Sequence, residues 1–474
     1  SRRSDLGDLT GTREHLLGGA LRVVGAQFHQ ALRILGAGQC LGVLDAFLEQ
    51  ALHDDAADAG TDFHFTGALG LGNLTVAGAS ALDSNTSVSL GNNVVLNANL
   101  TNTGNSDVAL SGVVSGSGGL IKNGASNLTL NGINSYSGGT TLNAGTVTLG
   151  ASAGLGSGTV TVAGASTLDT TAPLVLANNV NVNANLSVAG NNNLTLGGVI
   201  AGAGTLTKNG LADLTLTGNN TFSGTFDVQS GSLTTLGNSA LGSNAGVNLG
   251  AAATLNLGGS GSLASLTGSG TALIGGGNTL SLGGNNASSL FAGVLTGTGE
   301  LNKLGTGTLT LSGSNSLTGN TTVNAGTLSV SGSLDSASVL VNSGGTLTGG
   351  GSLGGAVTVA DGGHLTGATG STLSVNSLVF NANSNFDAGL GAPVSGGGNA
   401  LVNVGGNLTL DGTLNVSDIG GFGSGVYRLI NYTGGLTDNG MLIGTVPGSV
   451  TPDDLTLQTA QANQINLLVT APGS

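Results

Sequence analysis

From Thr66 onward the chain repeats one short pattern: Leu or Val alternating with Thr, Ser or Asn over four to six residues, then a cluster of Gly, Asn or Ser. "NLTL", "GTVTV", "GTLSV" and "GTLNV" are typical. A period of two puts the aliphatic side chains on one face of an extended chain and the hydroxyls on the other, the pattern of half-buried strands. Gly tolerates positive φ and Asn bonds its own backbone, so the clusters predict turns. Ahead of this texture, Leu17, Leu21, Val24, Phe28, Leu32 and Leu35 recur at three- and four-residue spacing, which predicts an amphipathic helix, with a second helical stretch over 41–52.

Residues 1–66 also differ in composition, holding five of the nine Lys and Arg, four of the five His and the single cysteine, Cys40. Asp5, Asp8, Arg13 and Glu14 interrupt the apolar run that an export signal needs. This block reads as an atypical leader, helical, poorly ordered or non-native. Elsewhere charge is scarce: DEKR make up 7% of the chain, against 39% hydrophobic residues and 90 glycines. That apolar content argues against disorder. The net charge of -14 comes from missing cations, and after residue 66 only Lys122, Lys208, Lys303 and Arg428 remain. No basic patch for nucleic acid follows from four scattered cations. One cysteine gives neither an internal disulfide nor a cysteine zinc site.

The three lysines share one phrase: "KNGASNLTLNGINSYSG" at 122, "KNGLADLTLTGNNTFSG" at 208 and "KLGTGTLTLSGSNSLTG" at 303. Aligned without gaps over the 29 residues from each lysine, nine positions are identical. Beyond the lysine they are Gly124/Gly210/Gly305, the Leu-Thr-Leu triplets from Leu128, Leu214 and Leu309, Gly132/Gly218/Gly313, Asn134/Asn220/Asn315, Gly138/Gly224/Gly319 and Gly145/Gly231/Gly326. Tyr136, Phe222 and Leu317 share a bulky position. The phrases are too poor in large side chains to form separate cores. Stacked coils solve this by burying each coil's apolar face against its neighbours. The expected fold is all-β, a right-handed parallel β-helix (β-solenoid) with coils of roughly 20 residues and a rod on the order of 100 Å long. The lysines are expected as outward side chains beside turns.

The recurring phrase, over 119–150, 204–236 and 299–332, resembles the passenger-associated transport repeat of bacterial autotransporters. "SVLVNSGGTLTGGGSLGGAVTVADGGHLTG" and "NLTLDGTLNVSDIGGFGSGVYRLINYTGGLTDNG" look like the distal part of such passengers. The resemblance implies a passenger over 67–399, with 400–474 as C-terminal cap and start of folding, displayed at the surface of a Gram-negative cell or secreted. It also implies an outer-membrane β-barrel translocator, expected to be missing from this chain, and adhesion to host or neighbouring-cell ligands. Phe422, Tyr427 and Tyr432 are the expected cap aromatics, concentrating large apolar groups where coils have fewest neighbours.

No catalytic, cofactor-binding or metal site is expected. The rival class is a β-helical polysaccharide lyase or hydrolase, which needs converging acids or an acid with a cation. Most solenoid acids stand alone beside turns. Asp361 and His364 come nearest to a pair, with no nucleophile marked beside them. "GGGSLG" at 349–354 matches G-x-G-x-x-G without the strand and helix that give it meaning. The calcium-binding G-G-x-G-x-D nonapeptide is absent.

Overall fold

The computed structural model describes residues 62–64, 72–242 and 244–470. The leader and its expected helices lie almost wholly outside the described residues. The described part of the chain is all-β, a parallel β-solenoid of about 16 turns. Each coil contributes short strands to three faces. The first face stacks Leu74–Val76, Val94–Leu96 and Val114–Gly116. The second stacks Ser80–Asp83, Leu100–Asn102, Leu120–Lys122, Thr140–Leu142 and Val160–Val162. The third stacks Val88–Leu90, Val108–Leu110, Asn127–Leu130, Thr146–Leu149 and Ser166–Thr170.

Alternation places the side chains as the sequence predicts. In Asn127–Leu130 the leucines are buried while Asn127 and Thr129 face outward and remain partly exposed. Directly stacked positions repeat every 17 to 23 residues through most of the rod, from Leu255 over Ala272 to Ala272 over Leu295. Near the C-terminal end the repeat lengthens: Phe386 stacks on Leu414, Val402 on Ile430 and Leu378 on Leu408, spacings of 28, 28 and 30 residues. Longer coils use residues without adding height. At a rise of about 4.8 Å per coil, 16 turns make a rod roughly 80 Å long, shorter than uniform coils would give.

The parallel stack ends in antiparallel pairing. Gly425–Tyr432 takes Gln464–Val469 as its antiparallel neighbour, and Leu455–Gln458 pairs with the other edge of that strand. Tyr427 and Tyr432 are buried here, and the Phe422 ring stacks on Tyr427 with centroids 5.5 Å apart. The Tyr427 hydroxyl donates to the carbonyls of Gly391 and Gly423 at 3.1 and 3.0 Å.

Turns of successive coils touch through backbone. A Cβ on Gly210 would sit 1.6 Å from the carbonyl oxygen of Gly190, whereas one on Gly284 would meet nothing within 4 Å. Gly210→Ala should therefore lower unfolding stability by about 2–4 kcal/mol and Gly284→Ala by less than ~0.5 kcal/mol. Urea unfolding followed by circular dichroism measures both, and equal effects would refute close turn stacking.

Candidate functional site: the buried lysine clasps

The recurring phrase is the most distinctive chemistry of the rod, and its lysines do not face solvent. Lys122, Lys208 and Lys303 are 0%, 3% and 1% exposed. This corrects the expectation of outward lysines beside turns. Lys122 stands in an interior column with Leu82, Asn102, Leu142 and Val162 above and below it. Lys303 stands between Leu282 and Val323, and Lys208 between Val188 and Val228. The alternation already pointed this way. In "LIK", "LTK" and "LNK" the lysine comes two residues after an inward leucine, at Leu120, Leu206 and Leu301.

An ammonium buried among aliphatic side chains needs acceptors, and turn carbonyls supply them. Lys303 Nζ donates to Leu304 at 2.6 Å and Gly305 at 2.8 Å in its own turn, and to Ala325 of the next coil at 3.1 Å. Lys122 Nζ donates to Gly124 and, at 3.5 Å, to Ala144 of the next coil. Lys208 donates to Gly210 alone; the residue one coil on is Ser230, whose hydroxyl donates to the Asn209 carbonyl, with the Gly210 carbonyl as a longer contact at 3.2 Å. Each lysine thus closes its own turn, and two of them clasp the next coil. Burial pushes the Lys122 pKa down to about 8 against the counter-pull of Asp107, and lowers those of Lys208, with Asp213 opposing, and Lys303.

The other invariant positions serve the same stacking. Asn134 bridges three coils, accepting from Val114 N–H at 2.8 Å and donating to the Gly154 carbonyl at 2.7 Å. Asn220 does so between Ile200 and Ala240, and Asn315 between Leu295 and Ser333. Tyr136, Phe222 and Leu317 are fully buried. Burial raises the Tyr136 pKa, with the Thr140 bond at 2.6 Å opposing. Gly145, Gly231 and Gly326 have φ of +75°, +71° and +63°, in the turn next to the lysine's own. Extending the ungapped comparison ten residues ahead of the lysine exposes further identities outside the shorter alignment: Gly112/Gly198/Gly293, Val113/Val199/Val294, Gly116/Gly202/Gly297, Gly118/Gly204/Gly299 and Leu120/Leu206/Leu301. Gly116, Gly202 and Gly297 all hold φ near +100°.

The copies do not share one face. Thr205–Lys208 stacks, through Asn185–Val188, Ser166–Thr170 and Thr146–Leu149, on the strand holding Leu128 of the first copy. From Lys208 the same face runs on through Val228, Leu249 and Gly268 to Phe291 and Leu311, in the Leu-Thr-Leu strand of the third copy. The second copy is rotated by one face relative to the other two.

This geometry coincides with a family match. The chain carries three passenger-associated-transport-repeats. The family model matches 120–149, 206–234 and 301–330, each match beginning two residues before a lysine. Over 118 residues, 24% of this chain, the sequence is 50% identical to the Adhesin BmaC autotransporter of Brucella suis biovar 1 (strain 1330). The chain spans 3% of that protein's length.

Asp361 and His364, the nearest approach to a pair in the sequence, take different partners. Asp361 accepts from the Asn383 N–H of the next coil at 2.9 Å, a turn contact. His364 Nδ1 instead meets Asp387 Oδ2 at 2.6 Å, and Asn415 donates to the other Asp387 oxygen at 2.9 Å. Asp387 lies 23 residues after His364, one coil further along, a neighbour that linear spacing hides. Among the described residues no group of three His, Cys, Asp or Glu is placed to hold a metal.

Replacing the transport-repeat lysines tests the clasp. Losing a donor to a buried carbonyl costs about 1–3 kcal/mol each, offset by relief of charge burial. Lys303→Met should destabilise most, by about 2–4 kcal/mol. Lys122→Met should follow, and Lys208→Met should stay within ~1 kcal/mol because Lys208 has one carbonyl partner and none in the next coil. The lysines also set a pH dependence. Their folded pKa lies below the unfolded value of 10.5, so between about pH 8 and 10.5 the unfolded chain binds more protons and stability rises with pH. Tyr136 and Tyr427, with folded pKa raised above 10.0, reverse the slope above about pH 10. Urea midpoints across about pH 7 to 11 should show a maximum near pH 10, with a shallower rise in Lys122→Met.

Proposed function

We propose that this chain is part of an autotransporter passenger: an extended, non-enzymatic β-solenoid that reaches an outer-membrane barrel translocator and then acts at the cell surface or after release as a structural and adhesive rod. The observation that carries the reading is the triple transport repeat within a continuous parallel stack. The likeness to an adhesin autotransporter supports adhesion as the activity. Surface chemistry agrees. Among the described residues from 72 on, 14 acids accompany four Lys and Arg, three of which are the buried clasp lysines. The outer surface is Thr, Ser and Asn with scattered carboxylates, suited to hydrogen-bonded contact with neutral polar partners and poorly suited to polyanions.

A polysaccharide lyase or hydrolase is the rival reading. His364 with Asp387 is its best foothold, but side-chain exposures of 37% and 31% leave the pair in water, with a single acid and no cation beside it. Deleting the passenger in its native host should reduce surface attachment and autoaggregation while leaving growth on polysaccharides unchanged. Intact adhesion after deletion would overturn the adhesive reading, and turnover of pectin or alginate that is lost in His364→Ala would favour the enzyme.

Within this reading the C-terminal unit is the proposed start of folding, because its antiparallel closure and aromatic stack stabilise it without further coils. Limited proteolysis in denaturant should leave a resistant fragment covering about residues 400–470, and Tyr427→Ala should shorten its lifetime more than Tyr136→Ala does. A resistant core mapping to 119–332 would reverse the polarity.

A further inference from the structure

The lengthened coils build a feature that the rest of the rod lacks. One coil earlier, four residues join the strand ending at Ala368 to the one starting at Leu373. After Gly391, ten residues intervene before Val402. This insertion carries a 3-10 turn at Ser395–Gly397 and three consecutive glycines at positive φ, Gly396, Gly397 and Gly398. It folds back over Tyr427 and Arg428; a Cβ on Gly397 would lie 3.2 Å from the Arg428 backbone nitrogen. Between loop and solenoid lies a cleft of about 290 Å³, lined by Leu390, Val394, Leu401, Tyr427 and Arg428.

Arg428 is unusual in two respects. It is the one Lys or Arg among the described residues that is not enclosed in the core, yet no carboxylate among them lies within ion-pair distance of it. Its Nη2 donates to the Gly396 carbonyl at 3.1 Å, while its Nε is buried with no acceptor among the described residues. A guanidinium presents its donors as a planar fork that matches a carboxylate, and no carboxylate among the described residues occupies that of Arg428.

We propose that the 392–401 insertion and Arg428 form a binding site for a small monocarboxylate with an apolar body. The carboxylate takes the free guanidinium edge and the apolar body lies against Leu390, Leu401 and the Tyr427 ring. One guanidinium matches one negative charge. A phosphate monoester would bring further charge toward an acidic surface with no second cation to meet it. Insertions that interrupt a regular solenoid fall in loops on one face, where solenoids place their binding surfaces.

Hexanoate is the probe, titrated into the full chain by calorimetry beside hexanamide, its uncharged counterpart. Hexanoate should bind at least about tenfold tighter than hexanamide, since a site built around an ionic hydrogen bond rejects the analogue lacking it. Arg428→Gln should abolish that preference. Val394→Glu, at a lining position 55% exposed, should block hexanoate by placing a competing carboxylate at the cleft without burying new bulk. Inorganic phosphate should bind no better than hexanamide. Equal affinity for acid and amide, tighter binding of phosphate, no heat at about 20 mM hexanoate, or Val394→Glu binding like the parent would each overturn the proposal, and none depends on Arg428→Gln folding normally.

Discussion

Coil-to-coil spacing in a parallel stack is fixed by the backbone ladder at about 4.8 Å, and everything distinctive about this chain comes from meeting that spacing at the turns. Strands meet it without help, because N–H and C=O groups pair with the coils on either side. Turns bring the α-carbons of one coil against carbonyl oxygens of the preceding coil. There a Cβ often has no room, as at Gly210, Gly224 and Gly319, where one would lie 2.0 Å or less from an oxygen of the preceding coil. Removing side chains solves the steric problem and creates a polar one, since the oxygens are shut away from water. A long side chain with three donors, rooted in the apolar interior and ending at the turn, answers it. Lys303, with three carbonyl partners, is the full form. Lys208 is a reduced form with one carbonyl partner, and the tie to the next coil comes from the Ser230 hydroxyl on the Asn209 carbonyl.

Much of this is legible in the chain without coordinates. Alternation places the strands, the glycine and asparagine clusters place the turns, and the poverty of large side chains forces stacking. The lysine defeats a linear reading for a definable reason: its position in the alternation says inward, its charge says outward, and the expectation of outward lysines follows the charge. Burial is tolerable through the carbonyls of the lysine's own turn, helped by those of Ala144 and Ala325, 22 positions away, and no local pattern marks the distant ones. The same blindness to coil neighbours leaves Asp361, three residues off, as the nearest acid to His364 in the sequence, while the fold brings Asp387 to it. The insertion after Gly391 is hidden differently, because "GAPVSGGGNA" has the same small-residue texture as an ordinary turn and only the stacking register shows it to be longer than one.

The rotation of the second copy constrains how a transport repeat can act. A partner running straight along the rod would meet the first and third copies on one face and the second on another. The clasps are also inside the solenoid, closed to any such partner. Within the rod, each copy makes its contacts to its own turn and to the coils next to it.

Local action also explains how the chain grew. "LGNNVVLNANL" at 90 and "LANNVNVNANL" at 176 show that the copied unit begins well ahead of the lysine and recurs at the same 86-residue offset that separates Lys122 from Lys208. That offset is about four and a third coils at roughly 20 residues each, so duplication landed the new copy on a different face. In a fold whose faces had distinct jobs that insertion would have misplaced every downstream strand. Here Val188 and Val228 receive Lys208 as readily as Asn102 and Leu142 receive Lys122, because each face offers the same inward column and the same glycine turn. A rod built this way accepts a copy that arrives a third of a coil out of phase, whereas the ten residues after Gly391 leave the stack and fold over Arg428 instead of joining a face.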